Sequence, residues 1–458
     1  MDFNIKRDSW FIKGICLHIS ISFFIAALIA TIYFDLWGHV WSNFIRILLN
    51  PAPLITDYFQ LGNIAAAFLN AGMCGTACWA LMTFLNAECR PSMLAGYFLV
   101  IAHCFYGLNF LNMWLPLLGV LLFTKTFKVG FRHNLDMAMF ATAFGPFISE
   151  LIFRYHVWNY YINGVVQISI LGFIYAVIFS IFIGFAIPAM LPGALKLHKG
   201  FNLYNGGLAF GLLGLFIYAF MYKTMGITPP KAISYPNGIY AAHGNSFEFF
   251  VIIYFVIMFC LALAWGWYLN GKTFKGYGEL LKSNSHTADF FTEYGRGKVL
   301  INIGVYGLTV LAYFILVISL TDGAGFTGPT VGVILAAMTF STQGQHPVNV
   351  WPIFLGYAVL SIFVTVLTGI AGMELPWTLS TQGYLNGAAF ATGLCPIAGK
   401  YGKRYGVLAG FMAAVLCTST SSMHGGLMLY NGGLTTGITA LILVPCLEYY
   451  WRPSKRNS

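Results

Sequence analysis

The sequence predicts an all-α polytopic membrane protein, with about 14 transmembrane helices or hairpin arms in two inverted-topology repeats of seven. Three observations lead to this fold class. The composition is strongly apolar, a ten-residue motif occurs twice, and basic residues collect in alternate loops along the chain. The composition indicates membrane insertion, the motif indicates an internal duplication, and the basic residues indicate the orientation of each span.

The composition places the chain in a lipid bilayer. Of its 458 residues, 58% are hydrophobic, 17% are aromatic and only 8% are charged, whereas soluble domains carry about 25% charged residues. A water-soluble fold could not bury this much apolar surface. We therefore expect the lipid bilayer to be the surroundings of most of the chain.

The net charge of +10 does not indicate a nucleic-acid partner. The basic residues cluster in short loops beside apolar spans, which is how positive-inside orientation is encoded. The nine cysteines lie within or beside apolar spans, without the sets of Cys and His that hold zinc. We expect free thiols, no metal and no cofactor.

A ten-residue motif occurs at 198–207 and again at 424–433, at an offset of 226. Its shared pattern is His-x-Gly-x-x-Leu-Tyr-Asn-Gly-Gly. Further matches follow in the same order along the chain: Gly107, Asn112, Trp114 and Gly119 recur at an offset of 237 as Gly344, Asn349, Trp351 and Gly356, and Phe140, Ala141, Thr142 and Pro146 recur at an offset of 250 as Phe390, Ala391, Thr392 and Pro396. This collinear order indicates that the chain is internally duplicated.

Fourteen apolar segments could each form a span or a hairpin arm. They cover roughly 14–35, 61–84, 92–108, 110–126, 136–153, 163–190, 203–222, 247–270, 299–320, 329–343, 347–368, 379–398, 405–420 and 427–447. Several are shorter than the ~20 residues of a full span. The pairs at 92–126 and 329–368 could therefore be helical hairpins that turn within the membrane.

The basic loops test this arrangement. With the N-terminus in the cytoplasm, the cytoplasmic side receives the loops at 125–132, 196–199, 272–298 and 400–404, and the basic tail after 450. Both termini are then cytoplasmic, and the two repeats are residues 1–235 and 236–458. Because each repeat has seven crossings, an odd number, the second repeat is inserted upside down relative to the first.

Inverted repeats are typical of secondary transporters that work by alternating access. The sequence therefore predicts a secondary active transporter of a small polar or anionic solute in the bacterial inner membrane. Coupling to a proton or sodium gradient and assembly as a homodimer are both open. One alternative is a channel for a small solute or ion, and another is an intramembrane enzyme that acts on a lipid-linked substrate.

The repeated motif supplies the first candidates for a substrate site. Tyr204, Asn205, Tyr430 and Asn431 precede or open the last helix of each half. The N-terminus of a helix presents free N–H groups and a partial positive charge, which suit an anionic or polar group. The alternative is a contact between small residues of two helices, with the asparagine acting as an N-cap.

Broken helices supply further candidates. Thr142 and Thr392 each precede a proline by four residues within a short span, and proline interrupts a helix and frees a carbonyl group. Asn112, Asn349 and Gln343 lie near the hairpin turns, where polar amides often line a pathway. The threonines could instead cap a structural kink, and the asparagines could tie helix ends together.

Few ionisable residues lie within the spans, and these are the candidates for ion coupling. They are Asp136, which aligns with Asn386 at the 250 offset, together with Glu150 and His103. Intramembrane carboxylates commonly bind coupling ions. However, Glu150 could pair with Arg154 one helical turn away and be structural, and His103 could be a packed histidine.

No motif of a known enzyme class lies in a suitable context, and we expect no enzymatic activity. The run at 419–422 beside His424 contains four hydroxyl residues but has no nearby orienting acid. It is better interpreted as a polar loop or a gate for the substrate than as a nucleophile with its base.

The chain also resembles an uncharacterised bacterial membrane protein family, catalogued as domain-of-unknown-function family 1576. Two features carry the resemblance: the repeated Leu-Tyr-Asn-Gly-Gly, and the stretch Thr-Asp-Tyr-Phe-x-Leu-Gly-x-x-x-Ala-Ala-Phe-Leu-Asn-Ala-Gly at 56–72. The resemblance extends over most of the chain. It implies neither a substrate nor a site.

Overall fold

The computed structural model of the chain describes residues 3–155, 161–162, 165–166, 168–229 and 238–450. The first helices within these ranges are α1 (Phe3–Tyr33), α2 (Val40–Leu48), α3 (Tyr58–Leu61), α4 (Ile64–Phe84), α5 (Pro91–His103), α6 (Trp114–Thr126), α7 (Leu135–Ala141), α8 (Gly145–Phe153), α9 (Ile170–His198) and α10 (Asn205–Tyr218). The later helices are α11 (Ile239–His243), α12 (Asn245–Leu269), α13 (Tyr277–Leu280), α14 (Phe290–Tyr294), α15 (Arg296–Leu320), α16 (Gly328–Ala337), α17 (Pro347–Ala371), α18 (Gln382–Ala391), α19 (Cys395–Tyr401), α20 (Lys403–Leu416) and α21 (Asn431–Tyr450).

Short irregular elements connect these helices. Turns of 3₁₀-helix cover Phe131–His133, Thr142–Phe144, Thr392–Leu394 and Ser421–His424, and a turn of π-helix covers Ala219–Thr224. Between α8 and α9, the two-residue strands β1 (Tyr161–Ile162) and β2 (Val165–Val166) pair antiparallel.

Helix length and surface composition identify a helical membrane protein. Among the described residues, nine helical segments are long and apolar enough to cross a bilayer. Large apolar side chains on their outer faces are exposed, such as Ile25 at 53%, Phe249 at 64% and Ile362 at 65%. Apolar surface on this scale is unstable in water and suits contact with lipid chains.

Each apolar segment predicted from the sequence overlaps at least one of these helices. Helix α1 begins eleven residues before the predicted segment 14–35, and α9 begins seven residues after the start of the predicted segment 163–190 and extends to His198. The predicted boundary between the halves, at residues 235 and 236, lies outside the described residues. So do the first two residues and the tail from 451, so the structure does not bear on the cytoplasmic placement of the termini.

Two predicted hairpins begin with a short arm. Helix α5 has 13 residues and α16 has 10, so they extend over about 20 and 15 Å. The hydrocarbon core of a bilayer is about 30 Å thick. The chain turns after each arm at a glycine with positive φ, Gly107 at +103° and Gly344 at +138°, before α6 and α17 begin.

Helices at corresponding places in the two halves pack against corresponding neighbours. Helix α1 packs on α4 as α12 packs on α15, α6 on α9 as α17 on α20, and α5 on α7 as α16 on α18. The proline-containing spans break in the same way. Helix α7 ends at Ala141 and α18 ends at Ala391, and after a 3₁₀ turn each following helix starts with a proline in its first turn, where no N–H is needed.

Hydrogen bonds recur between corresponding residues, with the donors at an offset of 232 and the acceptors at an offset of 237. Asn70 donates to the carbonyls of Cys104 and Leu108 (2.8 and 3.0 Å), and Asn302 donates to those of Ser341 and Gln345 (2.7 and 2.8 Å). Likewise the Tyr58 N–H bonds the Phe105 carbonyl and the Phe290 N–H bonds the Thr342 carbonyl. Each hairpin turn is therefore held by the same set of contacts.

Two corresponding helix pairs run antiparallel. Along α1 and α12, Phe34 contacts Phe247 (ring centroids 4.9 Å apart), and at the other end Phe11 contacts Trp265 (5.7 Å).

Along α5 and α16, Gly332 approaches the carbonyl of Ala102, and Gly328, one turn earlier, approaches that of Phe105. A third pair, α10 and α21, crosses where Gly207 meets Gly433, close to the start of both helices.

Candidate functional site

The two segments that lead into α10 and α21 each donate a hydrogen bond to the other half of the sequence. The Leu203 N–H donates to the carbonyl of Gly393, and the Leu429 N–H donates to the carbonyl of Ala143, both at 2.9 Å. Each acceptor lies in the 3₁₀ turn of a broken helix, where the interrupted hydrogen-bond ladder leaves carbonyls free. Each half of the sequence therefore supplies an N–H that bonds a turn carbonyl of the other half.

A histidine orients the asparagine at the start of each last helix. His198 Nε2 lies 2.9 Å from Asn205 Oδ1, and His424 Nε2 lies 3.2 Å from Asn431 Oδ1. An amide oxygen only accepts, so Nε2 of each ring is the protonated nitrogen. Burial lowers the pKa of His424 to about 4, and the ring is therefore neutral at physiological pH.

Asn205 is not an N-cap. The residue before α10 is Tyr204, and no side chain caps the helix; the Asn205 amide oxygen lies against His198 instead. For α10, this contact replaces the capping role that the sequence left as the alternative.

A cavity of about 190 Å³ with both polar and apolar lining residues lies beside the start of α21. It is lined by Leu54, Ile55, Tyr106, Gly383, Asn386, Gly387, Phe390, Cys417, Thr418, Ser421, Leu429, Asn431 and Gly432. Helix α18 forms one wall, the turn after α20 forms another, and the first residues of α21 contribute N–H groups that no residue of the helix itself can accept. None of the lining residues is lysine, arginine, aspartate or glutamate.

Buried polar atoms without partners surround this cavity. The Tyr106 and Tyr430 hydroxyls are buried, and neither has a hydrogen-bond partner among the described residues, whereas the buried His103 ring interacts with the backbone of Leu429. The His103 ring lies 5.0 Å from that of Tyr106 and 5.4 Å from that of Tyr430. Unpaired buried polar groups are costly in a native structure, so this cluster is a place where a ligand could supply partners.

Of the predicted substrate-binding residues, only Asn431 is among those lining the cavity. Tyr430 is buried behind it, against His103. Tyr204 is buried, donates to the Ala336 carbonyl at 2.7 Å and packs against Phe390 at 5.1 Å. Asn205 is half-buried beside His198.

The predicted threonines are buried and turn towards their own helices. Thr142 donates to the Met139 carbonyl at 2.7 Å, and Thr392 donates to the Ala389 carbonyl at 2.6 Å. Thr392 also accepts from Gln345 at 2.6 Å. This is the capped-kink geometry that the sequence left as the alternative.

The predicted amides lie at the hairpin turns. Asn112 donates to the carbonyl of Gly107 at 3.0 Å, and Asn349 donates to that of Gly344 at 2.8 Å, so both tie the turn to the following helix. Gln343 lies next to Gly344, and its buried Nε2 has no partner among the described residues.

The three candidates for ion coupling have different surroundings. Asp136 is half-buried and accepts from the Ser92 hydroxyl at 2.7 Å. Glu150 is fully buried, forms an ion pair with Arg154 at 2.8 Å and accepts from the Tyr222 hydroxyl at 2.7 Å. His103 is buried, and its Nδ1 lies 2.6 Å from the Leu99 carbonyl oxygen. Glu150 therefore forms a standing ion pair, whereas Asp136 accepts from the Ser92 hydroxyl and the Met137 N–H.

Several residues that shape the hairpin turns and the cavity were not predicted from the sequence. Asn70 and Asn302 hold the two hairpin turns, and an asparagine inside each apolar span was the only indication of this. Tyr106, Asn386 and Thr418 line the cavity, and the sequence singles out only Asn386 among them, through its alignment with Asp136. Ser421, from the run interpreted as a loop or gate, lines the cavity as well.

A larger apolar groove of about 550 Å³ runs between α1 and α12. Aliphatic and aromatic side chains line most of it, including Ile25, Phe249 and Ile253, which are exposed. Its chemistry suits lipid chains rather than a polar solute. Across the described parts of the chain, no group of three His, Cys, Asp or Glu residues could hold a metal ion.

The helices and the cavity define a polytopic helical membrane protein with a small polar site where its halves meet. The chain belongs to the family described as protein of unknown function DUF1576, whose profile matches residues 37–223 and 269–449. The resemblance seen in the sequence is thereby confirmed. No curated protein and no solved structure matches the chain.

Proposed function

We propose that the chain is a secondary active transporter of a small polar or anionic solute. Its two halves, residues 1–235 and 236–458, act as inverted repeats that expose a central site alternately to the two sides of the bacterial inner membrane. Both termini lie in the cytoplasm in this proposal, because that orientation keeps most basic loops inside.

The observation that carries the proposal is the antiparallel packing of corresponding helices. Helices α1 and α12 occupy the same place in the two halves, and their aromatic contacts run in opposite directions along the two chains. Helices α5 and α16 do the same. Antiparallel packing of corresponding helices is what inverted repeats require, because such repeats enter the bilayer from opposite faces and are related by an axis in the membrane plane.

The exchanged segments support the same conclusion. The bonds from Leu203 to Gly393 and from Leu429 to Ala143 are equivalent under exchange of the halves. They join each broken helix to the segment before a last helix, and broken helices at matching positions are typical of transporter binding sites. The cavity beside Asn431 adjoins one of these joints.

Coupling to a proton or sodium ion would use Asp136. Moving an unpaired charge through hydrocarbon is costly, and the ion pair with Arg154 makes Glu150 a structural group or a gate. Asp136 remains the acid best placed to bind and release a cation during transport.

The test is counterflow in proteoliposomes. A thermal-shift screen of metabolites and ions on purified protein first selects a solute. A transporter should show saturable uptake that responds to an imposed proton or sodium gradient, and should accelerate exchange of labelled solute against unlabelled solute. Passive flux without counterflow would instead indicate the channel.

The inverted topology has its own test. Cysteines at Ser42 and Ser283 should label from the outside and the inside, respectively, and labelling of both from one side would refute the inverted topology.

A further inference from the structure

We propose that the cavity beside Asn431 binds the hydrogen-bond acceptor group of the solute, a carboxylate or carbonyl oxygen, and excludes cations. This inference rests on the proposed function, because it takes the cavity as the substrate site. A carboxylate and a carbonyl group share an oxygen atom that accepts several hydrogen bonds.

The amides of the cavity have their oxygens already engaged. The Asn386 oxygen accepts from Gln382 Nε2 at 2.8 Å, and the Asn431 oxygen faces His424 Nε2 at 3.2 Å. Each oxygen keeps one lone pair, but Gln382 and His424 orient the two amides so that their oxygens face these donors and their NH₂ groups remain for an acceptor on a ligand.

The other polar groups agree with this assignment. Tyr106 is 1% exposed, and its buried hydroxyl has no partner among the described residues, so it is free to donate to a solute. Asn431 and Gly432 open α21, a helix of 20 residues, and their N–H groups carry the partial positive charge of a helix N-terminus. The same end repels a cation.

No charged side chain among the lining residues opposes the positive potential of these donors and of the helix N-terminus. The lining residues include no carboxylate and no basic side chain, and His424 is neutral because burial lowers its pKa to about 4. A cation in the cavity would face NH₂ groups and a helix N-terminus, with the neutral hydroxyls of Thr418 and Ser421 and no carboxylate among the lining residues to compensate. Acceptor oxygens face the same groups favourably.

The experiment measures the charge preference of the cavity without a known solute. In a background with Cys417→Ala, Cys260→Ala and Cys446→Ala, a cysteine at Ser421 reports on the cavity and a cysteine at exposed Ser42 is the control. The reagents are anionic sulfonatoethyl, neutral methyl and cationic trimethylammonioethyl methanethiosulfonates, applied to purified protein in detergent. We expect the ratio of anionic to cationic rates to be about tenfold higher at Ser421→Cys than at Ser42→Cys.

The arms separate the two sources of the acceptor. After division by the rate of the same reagent at Ser42→Cys, a fastest anionic reaction indicates a carboxylate, and a fastest neutral reaction with the cationic one slowest indicates a carbonyl. Adding Asn386→Asp should raise the cationic rate, whereas Asn386→Ala, the control for lost volume, should not. Equal ratios at the two cysteines, or no reaction at Ser421→Cys, would overturn the proposal.

Because labelling needs no transport, its result is independent of the proposed function. A chain that labels as expected but shows no counterflow would refute the transporter and leave the chemistry of the cavity standing. A chain that transports but, after the same division by the control rates, labels fastest with the cation would refute the chemistry of the cavity and leave the transporter standing.

Discussion

The contact between Gly207 and Gly433 holds α10 against α21, and one methyl group tests it. A Cβ on Gly433 would lie 2.8 Å from the Gly207 Cα, whereas carbon atoms in contact prefer ~3.5–4.0 Å. The helices would have to separate by roughly 1 Å. Because the opposing atom belongs to the backbone, no side chain can rotate away to make room.

We expect Gly433→Ala to lower the free energy of unfolding by about 1–2 kcal/mol. Overpacking costs ~1–3 kcal/mol, and the better helix propensity of alanine offsets up to ~1 kcal/mol of this. Gly193→Ala in α9 is the matched control, because no atom lies within 4 Å of its added methyl group. That variant should be as stable as the parent or more so.

The assay is thermal unfolding in detergent, followed with a thiol-reactive dye. Seven of the nine cysteines are buried, so unfolding exposes them once Cys260 and Cys446 are replaced by alanine. Gly207→Ala should behave like Gly433→Ala, and the double variant should lose less than the sum because the first methyl group already separates the helices. A Gly433→Ala protein that melts at or above Gly193→Ala would refute this account of the crossing.

Three further predictions concern charged groups. Arg154→Ala should destabilise the protein by ~3–5 kcal/mol, because it leaves the Glu150 carboxylate buried without its cation; Tyr222→Phe, which removes one hydrogen bond to that carboxylate, should cost less, ~1.5–3 kcal/mol, in the same melting assay. Burial lowers the pKa of His424 to about 4 from an ordinary value near 6.5, so the unfolded chain binds a proton between these values that the folded chain refuses. Stability present above pH 6.5 should therefore fall as the pH drops towards 4, and melting curves of His424→Gln should depend less steeply on pH over this range. Asp136→Asn should remove the dependence of uptake on the driving ion gradient, and uptake that keeps its full dependence would show that the coupling site lies elsewhere.

Local patterns in the sequence were enough for the helices and their breaks. Apolar length located the spans, and Pro146 and Pro396 indicated where two of them break, because proline acts on its own helix. The partners of these elements were not readable in this way. Nothing near Leu203 indicates that its N–H bonds Gly393, since the two residues meet only after the halves have packed.

For the polar residues too, the sequence predicts the position along the chain but not the bonding partner. A threonine four residues before a proline predicts a polar group at the break, but whether its hydroxyl faces a cavity or its own backbone depends on packing. In Thr142 and Thr392 it bonds the backbone. The cavity is instead lined by Tyr106, Asn386 and Thr418, which belong to three separate segments and share no motif.

The exchange of segments between the halves has a consequence for biosynthesis. Ala143 enters the membrane early, but the Leu429 N–H that bonds its carbonyl arrives only after the intervening residues have been made. During that interval the broken helix lacks this hydrogen bond, and a polar group left unsatisfied in hydrocarbon costs several kcal/mol. The newly inserted first half is thus an unfinished structure that depends on the ribosome completing the last helix, and a chain truncated before residue 429 exposes this defect to the proteases that remove unassembled membrane proteins.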